Sequence, residues 1–299
     1  MRYHQLGTSD LQVSEIAMGC MSLENDVNAS YKLIHQALDY GINFFDTADL
    51  YDHGHNEELL GFSLQNKRDQ VVIATKVGNQ WNTDKTTWRW NPSKTYILAA
   101  VDESLKRLKT DYIDLYQLHG GTIDDPIDET IEAFELLKEK GKIRHYGISS
   151  IRPNVIREYV QRSNISSVMM QYSMLDRRPE ESCLALLAEH DVSVITRGTL
   201  AKGLLAGKPV QPYLNHSPEA VEQAAQQLQY VAKNQQQSYA FTACQYVLQH
   251  DAVSAAVVGF RTTEQLSNCL ESYSENQLNM HDLRLLADAT AAYCYENHR

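Results

Sequence analysis

Asn43-Phe44-Phe45-Asp46-Thr47-Ala48-Asp49-Leu50-Tyr51, followed at once by His55-Asn56-Glu57-Glu58-Leu59-Leu60-Gly61, decides how the rest of this chain reads. An apolar run ends in an acid, and a phenol follows five residues later. A short loop then opens a helix with acids in its first turn, where negative charge complements the helix dipole. The order is strand, polar loop, helix.

Working outward, that order repeats. Upstream, Tyr3 to Leu6 and Leu11 to Val13 flank the turn-rich Gly7-Thr8-Ser9-Asp10 and read as a β-hairpin. Ile16 to Met18 begins a strand ending at Gly19-Cys20-Met21, and Leu33, Ile34, Ala37 and Leu38 fall at helical spacing between Ala29 and Tyr40. Downstream, Glu57 to Gln65 reads as helix, and Val71 to Lys76 is a continuous apolar run of the kind seen in strands covered on both faces. Helices Lys94 to Leu108, Asp128 to Lys140, Asn154 to Arg162 and Pro179 to His190 alternate with strands Ile113 to Leu118, His145 to Ser149, Val168 to Gln171 and Val192 to Arg197. Helices Glu219 to Lys233 and Tyr239 to His250 precede a last strand, Ala256 to Val258, and helices Glu264 to Ser272 and Asp282 to Tyr295 follow it.

Strands that precede a helix number eight, counted from Ile16 to Met18. Eight such units in 299 residues predict an α/β fold of the (β/α)8 TIM-barrel type, with an N-terminal β-hairpin and extra C-terminal helices. A doubly wound sheet is the competitor, but no Gly-x-Gly-x-x-Gly follows an early strand. No linker or charge block divides the chain, so residues 1–299 are expected to form one domain.

Composition narrows the function classes. A hydrophobic fraction of 43% with 22% charged residues is ordinary for a globular protein. The net charge of -11 and the lack of a basic run argue against a nucleic-acid footprint. An anionic ligand would need a local cluster of cations or backbone N–H groups to overcome the global field. No stretch approaches the roughly 18 apolar residues of a membrane span, and Met1 to Leu11 has no signal-peptide core. Cys20, Cys183, Cys244, Cys269 and Cys294 are widely spaced and form no Cys-x-x-Cys pair, which predicts reduced thiols, a cytoplasmic location and no metal site.

In a barrel, active residues stand where strands end and the following loops begin. Asp46 ends the second strand, Tyr51 lies in its loop, Lys76 ends the third strand and His119 the fourth. Singly, each has an ordinary structural reading as a cap, a rim aromatic, a surface charge or a satisfied histidine. Together they are expected to converge over one mouth. Trp81, Trp88 and Trp90 share the long loop after the third strand and either line a pocket for an apolar ligand or pack that loop onto the barrel.

The step from Asp46 to Tyr51 and on to Asn56-Glu57 resembles the aldo-keto reductase family. So do the hairpin Leu6 to Ile16, the segments Val72 to Gly78 and Leu108 to His119, the run Gly141 to Ser149, and Gly259-Phe260-Arg261, which together span almost the whole chain. The resemblance implies an NADP-dependent oxidoreductase that reduces aldehyde or ketone carbonyls to alcohols by hydride transfer. Tyr51 would be the proton donor, Lys76 its tuner, Asp46 the anchor of Lys76, and His119 the residue that orients the substrate oxygen. An unperturbed phenol ionises near about pH 10, and a neighbouring ammonium favours its phenolate, which is why those residue types belong together.

For the cofactor, the resemblance implies contacts from Gly19, Cys20, Met21 and Asp46, and a grip on the nicotinamide carboxamide by Ser149, Ser150 and Gln171, with Ser150 standing where the family commonly has asparagine. Arg197 occupies a position commonly held by an aromatic that stacks on the nicotinamide; it would stack in its place or turn towards a phosphate. Gly198, Leu200 and Lys202 would lie along the pyrophosphate, and Gly259, Arg261, Thr262 and Gln265 at the adenosine end. The guanidinium of Arg261 matches a ribose 2′-phosphate, so NADPH is favoured over NADH. The alternative is a cofactor-binding regulatory or sensor subunit with little turnover, since potassium-channel β subunits resemble this family too. A phosphate-handling hydrolase or isomerase barrel would need its own acid–base pair and leaves the Lys202 and Arg261 segments unexplained.

Overall fold

Phe44-Phe45-Asp46 forms a fully buried strand, and its neighbours are as apolar as the continuous runs in the sequence required. The computed structural model covers residues 1–299. Its barrel strands are β3 (Ile16–Gly19), β4 (Phe44–Asp46), β5 (Val72–Val77), β8 (Ile113–Leu118), β9 (Ile143–Ser149), β10 (Ser167–Gln171), β11 (Ser193–Arg197) and β12 (Val253–Val258). All eight are parallel, and β12 pairs back onto β3 to close the ring.

The hairpin β1 (Tyr3–Gln5) and β2 (Gln12–Ser14) lies at the end where the barrel strands begin, opposite their C-terminal ends. Leu6, Leu11 and Val13 pack against Phe44, Ala74, Leu115, Met169, Ile195 and Ala255, so the hairpin plugs the barrel with apolar side chains. The larger core lies between strands and helices. Those helices are α1 (Val27–Asp39), α2 (His55–Leu64), α3 (Lys94–Leu108), α4 (Ile127–Glu139), α5 (Pro153–Arg162), α6 (Cys183–Glu189), α7 (Pro218–Asn234), α8 (Tyr239–Leu248), α9 (Thr263–Leu270) and α10 (Met280–Ala287).

Three features differ from the sequence expectation. The tryptophan-rich loop after β5 folds into a hairpin, β6 (Asn79–Trp81) with β7 (Trp88–Trp90). The expected helix Pro179 to His190 is a 3-10 turn, Arg178–Glu181, followed by the shorter α6. The break falls at Ser182, whose φ of -157° is not helical. The last helix stops at Ala287 rather than Tyr295, because the tail finds other hydrogen-bond partners. Thr290 donates to the Met174 carbonyl, Tyr293 to that of Asn215, and the Tyr295 N–H to Glu181, so the tail lies across the loops after β10 and β11.

Candidate active site

The loop carrying Tyr51 is held in a costly shape. Asp52 and His53 adopt left-handed backbone angles (φ 45° and 56°), and Gly54 follows at φ 89°, where a Cβ would run into the Arg107 guanidinium. Arg107 is fixed by Glu57 at 2.7 Å, and the fully buried Glu57 also accepts from Thr75 at 2.6 Å. His53 lies against Trp81, ring centroids 4.2 Å apart. The Asn-Glu pair that marks the start of α2 therefore acts structurally: Asn56 bonds Thr47 and the Cys20 carbonyl, while Glu57 ties the helix to β5 and α3.

Asp46, Tyr51, Lys76 and His119 come together at the mouth, as the strand-end positions predicted. Lys76 is 1% exposed, and its three ammonium protons have three acceptors: Asp46 Oδ2 at 2.7 Å, the Thr47 carbonyl at 2.7 Å and the Tyr51 hydroxyl at 3.4 Å. The His119 ring meets the Tyr51 ring edge-on, centroids 5.8 Å apart. Lys76 is the penultimate residue of β5 rather than its end, since the strand continues to Val77, and His119 stands one residue past β8, which ends at Leu118.

Burial alone would lower the Lys76 ammonium, but the Asp46 carboxylate and the phenol oxygen overcome it, and the net displacement is upward. Burial pushes the Asp46 carboxyl up, against the pull of Lys76. With a 2.7 Å contact and an ammonium whose proton affinity is raised, the pair is ionic. His119 is driven the other way: burial, with help from Lys76 and Arg197, lowers it to about 3, so its imidazole is neutral near pH 7. Its Nδ1 is buried without a partner.

The opposite side of the mouth is built differently. Gln171 ends β10; its Oε1 accepts from Arg197 at 3.1 Å, and its amide donates to Asp176 at 2.8 Å and to the Tyr213 hydroxyl at 3.2 Å. Ser149 ends β9, and the buried Ser150 accepts from the Arg152 N–H. After β11, Gly198, Ala201, Lys202, Gly203 and Gly207 all have positive φ, and the loop bonds tightly within itself: the Ala201 N–H donates to the Gly198 carbonyl, that of Gly203 to Leu200 and that of Lys208 to Gly203. Lys208 folds its stem over Gly203, where a Cβ would meet it at 2.7 Å. After β12, Thr262 caps α9, and Gln265 accepts from the Arg261 N–H. Arg197, Lys202, Lys208 and Arg261 are absent from the protein's ion pairs.

Between these sides lie Gly19, Cys20 and Met21. A Cβ on Gly259 would strike the Ser22 hydroxyl at 2.5 Å, so backbone and side chain are closely apposed there. Cys20 is fully buried, and burial pushes its thiol well up, so its contribution to a ligand site is backbone alone; Met21 is 67% exposed on the rim. The three tryptophans divide their roles. Trp90 packs over Gly78 and Gly120 and donates to Asp125 at 2.9 Å, Trp81 faces the Tyr51 loop with its indole N–H unpartnered, and Trp88 is exposed.

The aldo/keto reductase family model matches residues 15–290. This chain belongs to the aldo-keto reductases. It is 49% identical to the Bacillus subtilis oxidoreductase YqkF over the full length of both. It superposes on the holo form of aldo-keto reductase AKR11C1 from Bacillus halodurans with a TM-score of 0.94 at 48% identity, covering 100% of this chain and 99% of that one. A more distant relative, the NADH-specific methylglyoxal reductase of Escherichia coli, is 32% identical over 72% of each chain. The protein is therefore an oxidoreductase on an eight-stranded barrel, and no helix is long and apolar enough to cross a membrane.

Several members of this site escaped the sequence reading. The Thr47 carbonyl, which takes one proton of Lys76, is a backbone atom and leaves no trace in residue type. Asp176 and Tyr213 meet Gln171, and Arg178 meets Asp176, because the loops after β10 and β11 fold onto each other. Lys208 lies six residues past Lys202 in the same loop, and its charge was the available signal.

Proposed function

We propose that this aldo-keto reductase reduces aldehyde or ketone carbonyls with NADPH and that Tyr51 is the proton donor. The observation that carries the reading is the Lys76 ammonium, buried and shared between the Asp46 carboxylate and the Tyr51 phenol oxygen. A bound reduced nicotinamide supplies hydride to the carbonyl carbon. Tyr51 gives its proton to the alkoxide oxygen as negative charge develops there, and Lys76 stabilises the phenolate left behind. Asp46 keeps Lys76 charged and in place. Neutral His119 offers a ring N–H to the substrate oxygen and aims the carbonyl at Tyr51.

The cations with no acid partner support a dinucleotide on the other side. In a chain of net charge -11, Lys202 and Lys208 lie in the loop after β11 and Arg261 in the loop after β12, all exposed and without an acid partner. Arg197 bonds Gln171, the carboxamide residue, which favours its stacking beside the nicotinamide over a place on the pyrophosphate. Arg261 carries the preference for a 2′-phosphate. Fluorescence titration with NADPH and NADH, followed by a panel of carbonyls, tests the reading. NADPH is expected to bind at least tenfold more tightly than NADH, a difference of about 1.4 kcal/mol, and Arg261→Ala to remove most of that margin. Binding without turnover on any carbonyl would point instead to a sensor.

A further inference from the structure

The Gln171 side chain is caught between groups that leave its amide one orientation. Asp176, whose side chain is fully buried, holds Arg178 through two contacts of 2.7 Å and takes the Gln171 amide on Oδ2 at 2.8 Å. A carboxylate only accepts, so the NH2 of Gln171 must face Asp176; a guanidinium only donates, so Oε1 must face Arg197. The second Gln171 N–H goes to the Tyr213 hydroxyl. Asp176 is itself immobilised: its turn, Ser173 to Asp176, is bonded through the Leu175 carbonyl to His216, the ring of His216 packs on Tyr293 of the tail at 4.8 Å, and Arg178 lies over Tyr295 at 5.1 Å.

We propose that Asp176 is a positioning residue that fixes the flip of Gln171, so that Gln171 presents the nicotinamide carboxamide with an acceptor and no donor. This rests on the reading that Gln171 meets that carboxamide. Both N–H groups of Gln171 are committed, and one lone pair of Oε1 remains beside Arg197. The carboxamide must therefore turn its NH2 towards β10 and leave its carbonyl to hydroxyl donors at the end of β9, Ser149 or Ser150. The ring is thereby oriented by a buried acid that never touches it.

The probe is the 3-acetylpyridine analogue of NADP, in which a methyl group replaces the NH2 of the carboxamide. Calorimetric titration of the full-length protein is expected to show NADP binding about tenfold more tightly than the analogue, the cost of leaving one acceptor unmet. In Asp176→Asn the buried constraint on the amide is gone and only Arg197, whose exposed guanidinium can swing into solvent, still favours the same flip, so the ratio is expected to fall to about twofold or less. Gln171→Ala should do the same, and adding Asp176→Asn to it should change nothing more. If Asp176→Asn does not fold, Asp176→Asn combined with Arg178→Met, which removes the guanidinium left without its acid, carries the same expectation. An unchanged ratio in the folded variant overturns the proposal, as does a wild type that binds both compounds equally or a Gln171→Ala variant that keeps the ratio. A wild type that binds neither compound defeats the cofactor reading itself.

Discussion

The two sides of the barrel mouth are built on opposite plans. On the β4, β5 and β8 side, charge is buried and matched: Lys76 and Asp46 are 1% and 4% exposed, and each ammonium proton has a named acceptor. On the β11 and β12 side, charge is exposed and without an acid partner, on a backbone wound through five left-handed positions. Groups that move a proton must be placed before the substrate arrives, whereas groups that hold phosphates need only be available and gain their partners from the ligand. The first side is finished in the protein alone. The second is completed by what binds.

That contrast breaks most visibly at Tyr51. Phenylalanine there keeps the ring edge against His119 and removes only the hydroxyl, so kcat is expected to fall about 10²- to 10⁴-fold, the range for a lost general acid. NADPH affinity should stay within about twofold, because most of the proposed cofactor contacts lie on the other side. A variant that keeps its turnover, measured by NADPH oxidation at saturating carbonyl, would remove Tyr51 from the mechanism.

Asp46→Asn tests whether the matched side is also a structural debt. It leaves the Lys76 ammonium buried with one neutral amide, a carbonyl and a phenol, and the expected destabilisation is about 3–5 kcal/mol in urea melts. The double variant Asp46→Asn with Lys76→Met should recover part of that loss. No loss in the single variant would mean that the pair is less buried than its geometry indicates.

His119 extends the comparison to pH. Its folded value, near 3, lies below the ordinary histidine value of about 6.5, so between the two the unfolded chain binds the extra proton. The contribution of this residue is therefore complete above about pH 6.5 and is lost as pH falls towards 3, at no more than about 1.4 kcal/mol per pH unit. His119→Gln should flatten the acid limb of the stability profile, and parallel profiles for the two proteins would contradict a buried neutral imidazole.

How much was legible follows the same division. The barrel, its plug and the gathering of Asp46, Tyr51, Lys76 and His119 at one mouth could be read because strand ends and the loops that leave them fix side-chain positions and apolar runs mark the strands. What was missed depended on loops meeting across the mouth: the β6–β7 hairpin, the tail that leaves helix after Ala287, and the hold of Asp176 on Gln171. No local spacing encodes those contacts. The three tryptophans show the boundary well, since one loop of sequence gave a packing residue in Trp90, a neighbour of the Tyr51 loop in Trp81 and an exposed ring in Trp88.

The smallest expected effect lies where the two sides meet. Arg197 stands on the exposed side, yet its charge reaches Asp46 and His119. Beside a nicotinamide, a permanent cation repels the oxidised, positively charged ring and is indifferent to the neutral reduced one. The protein should therefore bind NADPH more tightly than NADP and favour reduction. Because the guanidinium is exposed, screening keeps the term modest, and Arg197→Tyr is expected to shift the NADP-to-NADPH affinity ratio by about threefold to tenfold in favour of the oxidised form. The shift should shrink as salt is raised from about 50 mM to about 500 mM, where the Debye length shortens. A ratio untouched by the substitution at low salt would place Arg197 away from the ring, with its bond to Gln171 serving only to hold the loop.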